Sequence, residues 1–370
     1  GVVMPPVKIT IEENTPTYLS PDAFSWTVAE ALRSRFPGRI GFEPPSPFNQ
    51  NQWVLRSSGY VGFFYLTPDL LFHLLPKVPA NVFRMLEVAY RTPLQQEQGS
   101  IVVESMEEVY ERLAKVLGMR VRDRARQGFY RTYEQFNETL PYLRERTDLT
   151  QMMRRPWKTN FDCEYHDNTA DIPDNQILTW TLETILRSGL CRSDVFSTVN
   201  HAYREISNLT SVVPFRAQDC VNRKYNRLNQ DYSLLHGLCR FFLENTGPGY
   251  KSGERTLFPF LIDMAVLFEQ FVAEWLNQKL GQDWLLKPQE TVPLDAELNL
   301  MYRIDLVLAE ARTGRVRCVL DTKYKKPEQP GYDDINQVVA YAVSQGCKEA
   351  VLIYPSALTR SISIMVGDIH

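Results

Sequence analysis

The sequence lacks the features of a secreted, membrane-spanning or zinc-ribbon protein. Its six cysteines are scattered along 370 residues and form no Cys-x-x-Cys pair, which argues against a zinc ribbon, an iron–sulfur cluster or a disulfide framework. This cysteine usage favours a reducing compartment. No apolar run reaches the roughly 18 residues of a membrane span, and the first residues lack a basic segment followed by an apolar one. We therefore expect a cytoplasmic protein with no membrane-spanning segment.

The chain also lacks an excess of positive charge and a nucleotide-binding loop. Its formal net charge is −3, so DNA contact would have to come from local basic patches or from a partner protein. Residues 246–252, T-G-P-G-Y-K-S, have the wrong glycine spacing for a phosphate-binding loop, and no predicted strand precedes them. We expect no nucleotide triphosphatase motor within this chain.

A predicted hairpin between residues 301 and 324 carries three side chains suited to catalysis. Residues 301–309 and 315–324 have the composition of strands, and Gly314 between them can adopt the positive φ of a turn. Asp321 and Lys323 are two apart in the second strand and therefore share a face. Hairpin pairing would bring Asp305 of the first strand within a few ångströms of them. Two carboxylates and a lysine are thus expected to converge at the end of an apolar sheet.

Two carboxylates and a lysine suit the Mg²⁺-dependent hydrolysis of a phosphodiester. Carboxylate oxygens bind Mg²⁺, which keeps several waters and takes substrate phosphate as a further ligand. The ion would acidify a bound water, while the ammonium could hold the scissile phosphate or the attacking water. An isolated Asp-x-Lys triplet is a weak motif, however, and an ordinary edge strand with a surface ion pair has the same letters.

The spacing of these residues resembles a known nuclease signature. I-D, fifteen residues and then D-T-K resemble the PD-(D/E)xK nucleases, which implies that Asp305 and Asp321 are metal ligands and Lys323 is the catalytic lysine. Gln337 and Tyr341 are one helical turn apart on a predicted helix and share a face. They resemble the Q-x-x-x-Y element of the RecB-like branch, which implies that they position DNA or the lysine. Alternatively, Tyr341 is a core aromatic with Gln337 as its polar neighbour.

A second resemblance is narrower and concerns an apolar helix. Residues 264–272, M-A-V-L-F-E-Q-F-V, resemble the M-x-x-L-F-E-x-F-V helix of the McrC family, the nuclease subunit of the McrBC modification-dependent restriction system. Glu269 lies within this segment, and an ionised carboxylate among apolar residues is costly unless it is paired or bound to metal. From the sequence pattern alone, Glu269 could lie either at the site or at the edge of the helix. The resemblance implies that Glu269 lies at the site and is a further metal ligand.

The order of predicted elements indicates a mixed α/β protein. We expect a β-rich α+β domain at residues 1–158, then residues 159–370, with a helical segment followed by a nuclease core at 256–370 of the restriction-endonuclease-like PD-(D/E)xK fold. A polar stretch at 162–173 suggests the boundary. Phe63, Phe64 and Tyr65 look exposed and could anchor a partner. The arginines between 120 and 131 fit contact with DNA phosphate, delivery of an arginine to a partner's nucleotide, or a solvated helix face.

The McrC resemblance implies a division of labour between two proteins. This chain would be a Mg²⁺-dependent endonuclease subunit that cleaves double-stranded DNA carrying 5-methylcytosine. Its amino-terminal domain would dock on a hexameric McrB-like AAA+ GTPase and stimulate GTP hydrolysis. Three alternatives remain open: a stand-alone RecB-like exonuclease, a non-catalytic activator that retains the nuclease fold, and a metal-dependent hydrolase of small phosphate esters. The absence of a histidine near Asp305 and Asp321 weakens the last one.

Overall fold

The chain forms two compact units, of which the first is built from both ends of the sequence. A computed structural model describes residues 6–76, 79–91, 105–142, 146–147, 159–252, 255–295, 300–325, 329–356, 358 and 362–370. The first unit comprises Gly1–Met106 and Tyr250–His370, and the second comprises Glu107–Gly249. The mixed α/β class expected from the sequence is confirmed.

The amino-terminal part of the first unit is β-rich. β6 pairs with β1 in parallel and with β5 in antiparallel orientation, while β4 lies between β2 and β3 in a second sheet. Apolar residues of these strands and of α1 form one buried core around Trp53, Phe64 and Phe72. Ser25 caps α1 by accepting a hydrogen bond from the Val28 amide. The elements are β1 (Val7–Glu12), β2 (Thr17–Leu19), α1 (Trp26–Arg35), β3 (Ile40–Glu43), β4 (Trp53–Ser57), β5 (Tyr60–Thr67), β6 (Leu70–Leu75) and α2 (Pro79–Ala89).

The second unit combines helices with a β-ribbon, and the predicted domain boundary falls inside it. β9 pairs antiparallel with β7 along its whole length and occupies much of the polar stretch that suggested a boundary. The stretch is polar because much of β9 faces solvent, while Cys163 and Tyr165 are buried. The polar composition of residues 162–169 therefore reflects an exposed strand and not a linker between domains. The elements are α3 (Met106–Gln127), β7 (Thr132–Leu140), β8 (Arg146–Thr147), β9 (Phe161–Thr169), α4 (Pro173–Ser188), α5 (Ser193–Ser207) and α6 (Tyr232–Asn245).

Two arginines at the end of α3 have structural partners. Arg122 lies 3.7 Å from Glu205. Arg124 pairs with Asp231 at 3.3 Å, and its guanidinium lies 5.1 Å from the centroid of the Tyr232 ring. These contacts favour a structural role for Arg122 and Arg124 over phosphate contact or delivery to a partner.

The carboxy-terminal part of the first unit contains the predicted hairpin. β13, β14, β15 and β16 form one sheet in that order, with antiparallel pairing except between β15 and β16. Gly314, with φ +70°, lies in the turn between β14 and β15. Asp263 caps α7 by accepting from the Ala265 and Val266 amides. The elements are β10 (Tyr250–Ser252), β11 (Arg255–Leu257), β12 (Phe260–Asp263), α7 (Met264–Lys279), β13 (Trp284–Asp295), β14 (Leu300–Glu310), β15 (Val316–Thr322), α8 (Tyr332–Gln345) and β16 (Glu349–Ile353).

β12 joins the two chain ends of the first unit by pairing with β5. Gly62 of β5 has φ +138°, and a Cβ atom there would lie 2.1 Å from the Phe260 carbonyl oxygen. Only glycine therefore allows this close approach of the two strands. The pairing also makes β5 a central strand, and Phe63 and Phe64 are 2% and 0% exposed. The expectation that these two rings form an exposed anchor was wrong.

No helix within the described ranges is long and apolar enough to cross a membrane.

Candidate active site

The hairpin places the two predicted aspartates side by side. Leu306 of β14 pairs with Leu320 of β15, so Asp305 and Asp321 occupy the next positions on the adjacent strands. Oδ2 of Asp305 accepts hydrogen bonds from the backbone amide and the hydroxyl of Thr322, both at 2.8 Å. Asp321 is only 1% exposed. The Asp305 carboxylate is thus fixed by hydrogen bonds from Thr322 of β15, while the Asp321 carboxylate is buried.

Lys323 connects the aspartates to α8. The predicted strand 315–324 included Lys323. In the structure β15 ends at Thr322, so Lys323 directly follows the strand. Its Nζ lies 2.8 Å from Oδ2 of Asp321 and donates to Oε1 of Gln337 at 2.9 Å. Nε2 of Gln337 in turn donates to the Tyr341 hydroxyl at 2.6 Å. The structure therefore brings Asp321, Lys323, Gln337 and Tyr341 into one continuous polar chain.

Burial and charge oppose each other at the Asp321–Lys323 pair. Burial raises the pKa of Asp321, and the nearby Asp305 and Asp334 charges raise it further against the attraction of Lys323. Burial acts to lower the pKa of Lys323, but the bond to Asp321 and its charge outweigh this and raise the pKa. Lys323 is therefore a charged ammonium at neutral pH, beside carboxylates whose ionisation burial disfavours.

Glu269 of α7 is influenced by the charges of the same carboxylates. Burial raises its pKa, and the charges of Asp305 and Asp321 add to this effect. A hydrogen bond from Gln289 and the charge of Arg303 act in the opposite direction. Within the described ranges, however, no three His, Cys, Asp or Glu side chains form a compact metal-binding cluster. Glu269 is near enough to be influenced electrostatically, but it does not complete a three-carboxylate ligand set.

The two aspartates are chemically suited to hold Mg²⁺. Mg²⁺ takes one or two protein carboxylates and completes its shell with water and substrate phosphate. Oδ2 of Asp321 is buried, and the Lys323 ammonium lies 2.8 Å from it. A buried carboxylate beside a second carboxylate supplies the hard oxygen ligands that a divalent cation such as Mg²⁺ prefers. The fit requires Asp305 and Asp321 and does not require Glu269.

A second carboxylate–lysine cluster beside the site was not anticipated. Asp334, in the first turn of α8, lies 2.9 and 2.6 Å from the Lys325 ammonium through its two oxygens and accepts from the Tyr354 hydroxyl at 2.9 Å. Burial alone would raise the pKa of Asp334, but the bonds from Lys325 and Tyr354 hold it below its usual value. The sequence can indicate an acidic residue in the first turn of a helix. It does not indicate the partners Lys325 and Tyr354, because they follow two different strands.

Gln289 of β13 is a further residue that the sequence did not indicate. Its backbone φ is +53°, a conformation that costs a residue other than glycine about 1–3 kcal/mol. The neighbouring pairs Pro288 with Leu306 and Glu290 with Ile304 place it level with Asp305. Nothing in a Pro-Gln-Glu sequence predicts a left-handed residue within a strand.

Comparison with known proteins identifies related sequences and folds. A protein-family model described as "McrBC 5-methylcytosine restriction system component" matches residues 55–355. No curated protein matches the chain. A refined half-complex from the tetradecameric assembly of Thermococcus gammatolerans McrB AAA+ hexamers with bound McrC is similar over 96% of this chain and 89% of that chain, with 17% identity and a TM-score of 0.52. A cryo-EM structure of the Thermococcus gammatolerans McrBC complex covers 75% of this chain and 89% of that chain, with 17% identity and a TM-score of 0.47. At 17% identity the first similarity shows a shared fold and nothing more. The second, with a TM-score below 0.5, is too low to support a conclusion.

Proposed function

Because the chain belongs to the McrBC 5-methylcytosine restriction system component family, which confirms the family resemblance of its sequence, we propose that it is the DNA-cleaving subunit of such a system. Asp305, Asp321 and Lys323 are the residues proposed to carry out Mg²⁺-dependent hydrolysis of the DNA backbone. The observation that supports this most directly is the meeting of these three side chains at one sheet end, with Lys323 bonded to Asp321 and Gln337. A non-catalytic adaptor would not need this arrangement.

The surrounding fold agrees with a nuclease of the restriction-endonuclease type. The order α7, β13, β14, β15, α8, β16 is a mixed α/β arrangement with two helices and one four-stranded sheet, which supports a PD-(D/E)xK core. The proposed site lies where β14 and β15 bring the two aspartates together, and α8 supplies Gln337 and Tyr341 beside it. We therefore assign residues 256–370 to this core.

Each residue is given a chemical role. Asp305 and Asp321 would hold Mg²⁺, and when bound the ion supplies an activated water and stabilises negative charge on phosphate. Lys323 presents a positive charge to the scissile phosphate, and Gln337 orients this ammonium by accepting its hydrogen bond. Tyr341 fixes the Gln337 amide, since it accepts from Nε2 and leaves Oε1 turned to the lysine.

The proposed partner is a hexameric McrB-like AAA+ GTPase. The assembly with the similar fold consists of McrB AAA+ hexamers with bound McrC, and the family description names 5-methylcytosine restriction. We infer that this chain binds such a hexamer, stimulates its GTP hydrolysis and cleaves double-stranded DNA carrying 5-methylcytosine.

Replacement of Asp321 by Asn tests the proposal. The full chain, its AAA+ partner, GTP and Mg²⁺ are incubated with a 5-methylcytosine plasmid, and the rate of strand cleavage is measured. Asp321→Asn should slow cleavage by more than about 100-fold, beyond the 10- to 100-fold typical of groups that only orient a ligand. Binding to the partner and GTP turnover should persist.

Asp333→Asn is the matched control, because Asp333 is an exposed carboxylate next to Asp334 in the first turn of α8. It should cleave at the wild-type rate. Cleavage by Asp321→Asn at the wild-type rate would show that the reaction occurs elsewhere or in another protein.

A further inference from the structure

Tyr324 lies between Lys323 and Lys325, in a tight turn that follows β15. The Lys325 amide donates to the Lys323 carbonyl at 2.8 Å, and the Lys323 amide donates to the carbonyl of Ile353, the last residue of β16, at 2.9 Å. A hydrogen bond between residues two apart closes a three-residue turn around the central residue. The backbone at Tyr324 therefore sets the direction in which the chain leaves Lys323.

The side chain of Tyr324 is held by residues from both ends of the sequence. Its ring centroid lies 5.9 Å from that of Phe268 on α7. Its hydroxyl donates to Oε2 of Glu13 at 3.2 Å, although the two residues are 311 positions apart. Burial and the Glu13 carboxylate raise the pKa of this hydroxyl, so it stays protonated and remains the donor. Tyr324 therefore ties the turn after Lys323 to the amino-terminal β-rich region.

Glu13 is fixed where three strands of the amino-terminal region end. It directly follows β1, and its amide donates to the carbonyl of Leu75, the last residue of β6, at 2.8 Å. It also forms a β-bridge with Ser57, the last residue of β4. Only 1% of its surface is exposed, and a carboxylate buried in this way is costly unless it is hydrogen-bonded. The two amino-terminal sheets thus meet at the acceptor of the Tyr324 hydroxyl.

Tyr324 constrains the backbone of Lys323, whereas Asp321 and Gln337 constrain its ammonium. The lysine side chain is long and flexible, so these two contacts alone do not fix the Cα atom from which it extends. A shift of that backbone would move the ammonium relative to the scissile phosphate. Misplacement of a reacting group by about 1 Å can slow a reaction about 100-fold, even when its cause is remote from the chemistry.

We propose that Tyr324 is a positioning residue of the cleavage site, and that its hydrogen bond to Glu13 couples the amino-terminal β-rich region to Lys323. This inference rests on the proposed function. It gives a reason for a buried carboxylate at the junction of two sheets. It also provides a route by which a partner bound to the amino-terminal region would act on DNA cleavage, because a displacement of Glu13 would pull on the turn after Lys323.

The test is Tyr324→Phe in the full chain, assayed with its AAA+ partner, GTP, Mg²⁺ and 5-methylcytosine plasmid. Phenylalanine keeps the ring beside Phe268 and removes only the hydroxyl. The maximal cleavage rate should fall by about 10- to 100-fold with an unchanged KM for DNA, because Lys323 would be displaced while the DNA-binding surface is kept. Partner binding and GTP turnover should stay at the wild-type level.

Variants of Glu13 test the other end of the hydrogen bond. Glu13→Gln keeps an oxygen acceptor for the Tyr324 hydroxyl and should cleave at close to the wild-type rate. Glu13→Leu removes the acceptor and should lose as much activity as Tyr324→Phe. The double variant with Tyr324→Phe and Glu13→Leu should be no slower than Glu13→Leu alone, because both substitutions remove the same bond.

Tyr165→Phe is the matched control. The Tyr165 hydroxyl also donates to a glutamate, at 2.9 Å from Oε2 of Glu138, but within the β-ribbon of the second unit. This variant loses the same kind of bond and should cleave at the wild-type rate. Its melting temperature should fall by about as much as that of Tyr324→Phe, which would show that lost stability does not account for the slower cleavage.

Three results would overturn the inference while leaving the proposed function intact. One is wild-type cleavage by Tyr324→Phe when Asp321→Asn is inactive, which would make Tyr324 a packing residue only. Another is additive loss in the double variant, which would separate Tyr324 from Glu13. The third is an equal loss of cleavage in Tyr165→Phe, which would make the effect a general one. Wild-type cleavage by Asp321→Asn, in contrast, would remove the proposed function and this inference with it.

Discussion

Lys323 illustrates how a single side chain is fixed by residues from different parts of the sequence. Asp321 precedes it on β15 and provides a charge, and Gln337 on α8 provides a neutral acceptor. The Lys323 ammonium has three N–H groups, and within the described ranges these two partners leave one for a substrate oxygen. Its raised pKa, in which the attraction of Asp321 outweighs burial, keeps it charged while it does so.

Gln337→Ala should slow DNA cleavage by about tenfold, the lower end of the cost of removing an orienting group. The lysine would lose its neutral acceptor, while the charge and the metal ligands would remain. Gln337 is exposed, so the melting temperature should change little. The measurement is the cleavage rate in the complete complex together with thermal unfolding of the chain. Asn336→Ala, an exposed neighbour on the same helix, is the control; equal rates for both variants would indicate that Gln337 is only the polar neighbour of a core tyrosine.

At the scale of elements, the contact between β5 and β12 is close enough to require glycine at position 62. β12 leads directly into α7, and the Met264 amide donates to the Gly59 carbonyl at 2.9 Å beside the start of β5. The position of α7, and therefore of Glu269, depends on how closely β12 approaches β5.

Gly62→Ala should destabilise the protein by about 3 kcal/mol or more, because the new Cβ atom would meet the Phe260 carbonyl and the backbone would be strained. The measurement is the free energy of unfolding in urea. Gly41→Ala on β3 is the control, since the nearest atom to a Cβ there is the Arg56 carbonyl oxygen at 3.9 Å. Equal stability of the two variants would mean that β5 and β12 can separate at little cost.

Local patterns predicted the hairpin and α8, but the sequence did not indicate the long-range pairing. Alternating apolar residues and Gly314 sufficed to indicate β14 and β15, because hairpin partners are adjacent in sequence. The pairing of β12 with β5 depends on contacts between distant residues, for which one sequence contains no signal. The same holds for the Lys325–Asp334–Tyr354 cluster and for the left-handed Gln289. Phe63 was misassigned for this reason, since its ring packs against Phe260 of β12. Phe64 was misassigned as well, because it is buried in the amino-terminal core against Phe36 and Phe72.

At the scale of the whole molecule, the first unit cannot be cut from the chain at one point. Its sheet order is β1-β6-β5-β12, so an amino-terminal piece keeps three strands and loses the fourth. The expectation that residues 1–158 form a partner-docking module therefore needs to be tested on the full chain, for example with Asp321→Asn.

A fragment of residues 1–158 should aggregate when expressed alone. Without β12, the edge of β5 and the apolar side chains next to it, including Val61 and Phe63, would be uncovered. Size-exclusion chromatography compares this fragment with full-length Asp321→Asn, which should elute as a folded protein. A monomeric fragment that melts cooperatively would show that β5 does not require β12.

The pairing of β5 with β12 also has a consequence during synthesis on the ribosome. At about 5–20 residues per second, translation of Glu107–Gly249 takes roughly 7 to 30 s. Throughout this interval β5 has been made and its final neighbour has not. The nascent chain therefore carries an uncovered strand edge for far longer than a hairpin needs to form, which is on the order of microseconds. Its yield in the cell should depend on chaperones that bind such edges, and slower translation of the inserted unit should reduce that yield.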